Sequence, residues 1–141
     1  MIVLDTNVIS ELMKTTPSPG VLAWTGKYAP DDLFISTVSM GEILFGIELL
    51  PQSKRRDSLL REAEATFAKD FAERILTFDE QAARTFGPLF AARRRLGGPM
   101  GVADAQIAAI AKARGAVLAT RNTGDFEGCG LHLVNPWKSE P

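Results

Sequence analysis

The chain has 141 residues, of which 45% are apolar and 23% charged. That balance excludes disorder, collagen and coiled coil, and it predicts a single globular domain over residues 1–141 with a core of its own. Sixteen basic residues against seventeen acidic ones leave a net charge of −1, so bulk charge will not hold a nucleic acid; a local basic patch or a bound cation has to do it.

Short apolar runs alternate with helix-period stretches, the pattern of a three-layer α/β/α sandwich on a mainly parallel sheet. Ile2-Val3-Leu4 reads as a buried strand, followed by helices over Thr6–Lys14 and Val21–Tyr28. Leu33-Phe34-Ile35 is the second strand. A helix over Ser39–Leu50 presents Ile43, Ile47 and Leu50 on one face and stops at Pro51. A long helix over Ser53–Phe71 carries the stripe Leu59, Leu60, Ala63, Phe67 and Phe71. Ile75-Leu76-Thr77 is a short strand, and Glu80–Leu96 is a helix that Gly87-Pro88 is expected to kink or split. After the flexible run Gly97–Gly101, a helix rich in small residues spans Ala103–Arg114 and is capped by Gly115. The strand Val117-Leu118-Ala119, a loop over Asn122–Gly130 and a last strand Leu131–Val134 complete the chain.

Several chemistries are missing. The sequence has neither the phosphate loop of nucleoside triphosphatases nor a dinucleotide-binding glycine fingerprint. His132 is the only histidine, so a two-histidine ribonuclease mechanism and a histidine-rich zinc site both lack their residues; a structural role for His132 is expected. Cys129 has no internal disulfide partner and no evident activator, so it reads as inert, in keeping with a reducing cytoplasm. The opening Met1–Asp5 lacks the basic start of a secretory signal, and no apolar run reaches the roughly 20 residues of a membrane helix.

Four acids remain. Asp5 follows the first strand, Glu42 lies in the helix after the second, Asp104 lies in the first turn of the small-residue helix, and Asp125 lies in the loop after Val117–Ala119. Strand C-termini and helix N-termini share one edge of a parallel sheet, so all four map there. Each also has a simpler reading: Asp5 as an N-cap, Glu42 as the third-residue glutamate of a capping box begun by Ser39, Asp104 as a helix-dipole partner and Asp125 as a loop residue. Crowded carboxylates require protons or a cation, and oxygen-only ligands suit magnesium or manganese. Such a centre stabilises the charge of a breaking phosphodiester and activates water, with no histidine needed. Thr6 and Thr120 stand beside the acids as possible orienting hydroxyls. Arg93-Arg94-Arg95 and Lys54-Arg55-Arg56 are the dense basic runs; a solvated helix face is their simpler reading, and Arg93 and Arg121 are the preferred side chains should the chain track a nucleic-acid backbone.

These residues resemble the PIN-domain ribonucleases and, among them, the VapC-type toxins of bacterial toxin–antitoxin pairs. The resemblance rests on Ile2–Val8, on Ser39–Gly46, on Val102–Ala109 and on Ala119–Phe126, four motifs in order over the whole chain. The closing Asn135-Pro136-Trp137 is similar to the FitB-like branch. The resemblance implies a metal-dependent endoribonuclease. Asp5, Glu42, Asp104 and Asp125 would hold magnesium or manganese, and Asn122 would position ligands or water. It further implies inhibition by a VapB-type antitoxin, a homodimer, and contact with DNA only through the antitoxin. Two rival readings are an acidic-pocket phosphatase and a non-catalytic acidic module that docks a basic partner. A dehalogenase-type phosphatase needs a second Asp where Asn7 stands, and a response-regulator receiver needs an acidic pair and a late lysine that are also missing.

Overall fold

The computed structural model describes residues 1–138; residues 139–141, which fall within the predicted domain, lie outside the described residues. Strand β1 (Ile2–Leu4) is buried on both faces and forms the centre of the sheet. It pairs in parallel with β2 (Leu33–Ser36) on one side and with β4 (Val117–Ala119) on the other. Strands β3 (Ile75–Leu76) and β5 (Leu133–Val134) close the edges, also parallel, giving the order β3-β2-β1-β4-β5.

Successive strand side chains point to opposite faces, and the two cores follow that alternation. Ile2 and Leu4 join Leu33, Ile35, Val8, Ile9 and Trp24 on one face, while Val3 joins Leu118, Ile107 and Ile110 on the other. The first core is covered by α1 (Thr6–Leu12), α2 (Pro19–Thr25), α3 (Thr37–Glu48) and α4 (Lys54–Ala65). The second is covered by α5 (Glu80–Arg95) and α6 (Val102–Ala113), which pack on each other. The α/β/α sandwich is therefore observed. The alanines of α6 at 105, 108, 109 and 111 are all buried, and their small side chains bring that helix close to the sheet. Gly115 ends α6 at φ +62, with Gly115 N–H donating to the Lys112 carbonyl and Ala116 N–H to the Ala111 carbonyl. This is a Schellman stop, for which a glycine is the ready residue.

Four expectations change. Helix α3 starts at Thr37, capped by Ser36 rather than Ser39: the Ser36 hydroxyl accepts from Ser39 N–H at 3.0 Å. Helix α5 continues through Gly87-Pro88, so the pair does not split it. Both residues are exposed, so the Arg84 carbonyl that loses its partner is on the wet side of the helix. The long helix after Ser53 ends as a π turn over Thr66–Asp70, closed by Phe71 N–H donating to the Thr66 carbonyl at 3.1 Å. The last strand begins only at Leu133, because Gly128 and Gly130 at φ +81 and +72 keep the chain turning before it.

The continuous α5 carries a cost that a substitution removes. Pro88→Ala restores a helix N–H without disturbing the core, and stability rises by about 1–3 kcal/mol, seen as a higher urea midpoint. An unchanged or lower midpoint would mean that Pro88 is needed for packing.

Candidate active site

Chain direction fixes where the acids go. From β1 the sheet grows one way through β2 and β3 and the other way through β4 and β5, so its order reverses between β1 and β4. A crevice opens at the carboxyl ends of the strands at such a reversal. Asp5 and Thr120 follow immediately after β1 and β4 on either side of it.

Asp5 is only 5% exposed, and its N–H continues the ladder to the Ala119 carbonyl at 2.8 Å. One carboxylate oxygen accepts from Thr6 N–H at 2.9 Å, as an N-cap, and the other accepts from the fully buried Thr120 hydroxyl at 2.8 Å. The cap reading is therefore true but incomplete. The same Thr120 oxygen accepts from Asn122 N–H at 3.1 Å, so one hydroxyl joins two segments of the site.

The shift of the α3 cap decides the role of Glu42. Six residues past Ser36, its carboxylate is too far along the helix to close a capping box. It accepts instead from the Thr6 hydroxyl at 2.7 Å, while Thr6 Oγ1 and the buried Ser39 Oγ are 2.8 Å apart. A hydroxyl has one proton, so a consistent chain has Ser39 donating to Thr6 and Thr6 donating to Glu42. Asp104 is the third residue of α6, whose cap residue Gly101 offers no side chain. Asp125 sits in a single 3₁₀ turn, Thr123–Phe126, anchored by the buried Phe126.

The acids influence one another. Burial raises the carboxyl pKa of Asp104 to about 6, helped by the charges of Asp5, Glu42 and Asp125. Burial also raises that of Asp5, against the lowering effect of the Thr120 and Thr6 hydrogen bonds, and Glu42 and Asp125 push the same way. Among the described residues, none of the four has an ion-pair partner within 4 Å. They line one cleft of about 450 Å³ together with Thr6, Asn122 and Arg121.

Sequence reasoning gave no site role to Asn7, Ser10, Glu11, Lys14, Phe126 and Trp137, which line the same cleft. Glu11 is buried; it pairs with Lys14 at 3.1 Å and accepts a hydrogen bond from Ser18 N–H at 3.2 Å. The Lys14 hydrogen bond, ahead of the Ser18 one, holds its pKa below the ordinary value. Its signal in the sequence was faint: Glu11 lies one helical turn from both Asn7 and Lys14. Arg93 does not line the cleft. Its guanidinium donates to the Glu127 carbonyl and lies against Gly98, where an added Cβ would come within 3.1 Å of it. His132 is exposed and Cys129 is buried, with its thiol pKa pushed up by burial; neither lines the cleft.

Among the described residues, no three acidic, histidine or cysteine side chains are disposed to enclose an ion in the arrangement seen. Two of the carboxylates accept hydrogen bonds from hydroxyls, Glu42 from Thr6 and Asp5 from Thr120. The donor set itself fits a hard divalent ion: oxygen-only, lining one cleft and, among the described residues, without an ion-pair partner within 4 Å. No helix among the described residues is long and apolar enough to cross a membrane.

An all-parallel sheet with carboxylates gathered at its reversal point is the arrangement the sequence motifs suggested. The chain belongs to the PIN-domain family, whose model matches residues 2–128. Within that family it is similar to the VapC ribonuclease Y4jK of Sinorhizobium fredii, 42% identical over 98% of this chain and 99% of that protein. The plasmid stability protein StbB of Pseudomonas syringae is 44% identical over 99% and 100%. The toxin FitB of Neisseria gonorrhoeae is 36% identical over 97% and 99%. A solved structure of FitAB bound to a DNA fragment matches with a TM-score of 0.91 at 35% identity, covering 100% of this chain and 99% of that one.

Proposed function

We propose that this protein is a divalent-metal-dependent endoribonuclease and the toxin of a toxin–antitoxin pair. The observation that carries the reading is four carboxylates without cationic partners, brought from four separate segments into one cleft. The names VapC ribonuclease and toxin FitB among its relatives support it.

Asp5, Glu42, Asp104 and Asp125 would hold magnesium or manganese. A bound ion supplies water of lowered pKa and stabilisation of the charge that builds as the phosphodiester breaks. Thr120 fixes the orientation of the Asp5 carboxylate, and Thr6 that of Glu42. Asn122, at the start of the turn that presents Asp125, accepts Asp125 N–H on its carbonyl at 3.0 Å and so ties that acid to Thr120. Arg121 is a cation at the cleft with no carboxylate within 4 Å, which suits it to the RNA backbone. Arg93 serves chiefly to brace the loop at Glu127.

The partner assignment rests on shape and on the relatives. A second groove, of about 590 Å³, shares Thr6, Ser10, Lys14 and Glu42 with the acidic cleft and continues over Ile43, Ile47 and Leu59. An antitoxin segment lying in it would bring an arginine to the carboxylates, neutralising them in place of the metal. The DNA in the FitAB complex is consistent with DNA contact made through the antitoxin. Phe45 and Leu49 on the outer side of α3, 64% and 69% exposed, offer an apolar surface for a homodimer.

Cleavage of mixed single-stranded RNA tests the function. With magnesium or manganese the protein cuts internally, leaves 5′-phosphate ends and tolerates a 2′-deoxyribose at the cut; with a chelator cutting stops. Cyclic-phosphate ends, or equal rates in chelator, would refute water attack at a metal centre. Release of phosphate from small esters in place of RNA cleavage would favour a phosphatase.

A further inference from the structure

The closing Asn135-Pro136-Trp137 is left unexplained by the carboxylate cluster, yet Trp137 reaches the cleft. Its indole is half-buried and packs against the core beneath β5. On the indole lies the guanidinium of Arg121, 5.0 Å from the ring centroid. The backbone of Arg121 is held from both sides. Its N–H donates to the Asn7 side-chain carbonyl at 3.3 Å, and its own carbonyl accepts from the Asn135 amide at 3.1 Å. The other end of that Asn135 amide accepts from Trp137 N–H at 2.9 Å, so one side chain joins arginine to tryptophan.

The result is a layered stack: core, indole, guanidinium. Arg121 is an exposed residue. A long arginine ordinarily samples many rotamers, and the stack removes most of that freedom in advance. A guanidinium held over an indole by one side keeps its other side open to the cleft, and guanidinium planes stack on unpaired nucleobases. A mere phosphate contact needs neither the tryptophan nor the clamped backbone, since any mobile cation supplies it.

We propose that Asn135 and Trp137 form, with Arg121, a nucleobase-stacking subsite: Arg121 receives an unpaired base of single-stranded RNA beside the scissile phosphate, and Asn135 and Trp137 act as positioning residues. The proposal rests on the endoribonuclease reading, and it adds that the enzyme selects unstacked RNA through a base rather than through charge alone.

Binding and cleavage are measured with magnesium present. The probes are a mixed-sequence single-stranded octaribonucleotide and an octamer of abasic ribose phosphates with the same charge. The variants are Arg121→Lys, which keeps the charge, Trp137→Phe, which keeps a ring on the core, and Asn135→Ala. Arg121→Lys weakens binding of the base-bearing octamer about tenfold, as loss of one stacked base does. It raises KM with kcat within threefold, and it leaves the abasic octamer and the salt dependence unchanged. Asn135→Ala and Trp137→Phe move KM in the same direction and by less. If the parent binds and cuts RNA but Arg121→Lys matches it, or if both octamers lose affinity equally, the stacking subsite is refuted and the nuclease stands. If the parent neither binds nor cuts either RNA, the endoribonuclease reading falls and the subsite with it.

Discussion

Asp104→Asn abolishes RNA cleavage and at the same time makes the metal-free protein more stable at neutral pH. The loss of rate is at least about 10²–10³-fold, the scale on which one electrostatic group acts at a developing charge. The gain in stability follows from the raised pKa. Between the ordinary value of 3.8 and about 6, the folded state holds a proton on Asp104 that the unfolded chain has released. Stability therefore falls as pH rises through that window and stays reduced above it. Asp5 acts in the same direction. An asparagine resembles the protonated acid and escapes the loss. In chelator at pH 8 the variant exceeds the parent by about 1–2 kcal/mol, less than the full linkage value because Asp104 is half-exposed and screened. At pH 4 the two melt together. Magnesium raises the melting temperature of the parent more than that of the variant, since a ligand stabilises only the state that binds it. Thermal melts at pH 4 and 8, with and without magnesium, check the set. A variant less stable than the parent at pH 8 in chelator would show that the carboxylates do not repel, and the cluster would lose its physical basis.

Thr120→Val has the second largest effect, and it changes no carboxylate. Valine has the shape of threonine, so packing is kept, but Asp5 loses its buried donor and Asn122 N–H its acceptor. Leaving such groups unpaired lowers stability by about 1–3 kcal/mol. Cleavage falls about 10–100-fold through kcat, the range for a residue that orients a ligand. The hydrogen bond from Thr120 lowers the Asp5 pKa, so its loss moves the acid limb of the pH–rate profile upward. Thr120→Ser keeps the hydroxyl and recovers most of the rate. Equal activity of the valine and serine variants would mean that Thr120 only fills space.

Much of this was legible without coordinates. Ile2-Val3-Leu4 and Val117-Leu118-Ala119 are apolar throughout because both faces of a central parallel strand are buried, so the pattern gave both type and position. The acids were legible because each follows a strand or opens a helix, and chain direction alone sends such positions to one edge. The cap of α3 was harder. Ser36 and Ser39 are both serines followed by helix, and local sequence favoured Ser39 with Glu42 as a capping box. The Ser36 hydroxyl instead accepts Ser39 N–H and starts the helix three residues earlier, and that shift released Glu42 to face Thr6. Pro88 did not split α5, because at this exposed position the Arg84 carbonyl left without its helix donor faces water. The π turn after Ala65 had no local signal; it places Phe67 and Phe71 on the core, and Arg74 then reaches the carbonyls of Pro30, Leu33 and Asp70.

The sequence by itself determined the layers, the strand direction and the identity of the four acids, because these depend on side-chain periodicity and on the direction in which each strand runs. Only the tertiary structure decided which hydroxyl holds which carboxylate, that Arg93 braces a loop while Arg121 lies at the cleft, and that Trp137 and Glu11 share it. Those contacts join residues up to 115 positions apart, as Thr120 does with Asp5. Nothing in the local pattern records such pairings, since they exist only once the sheet has set the loops side by side.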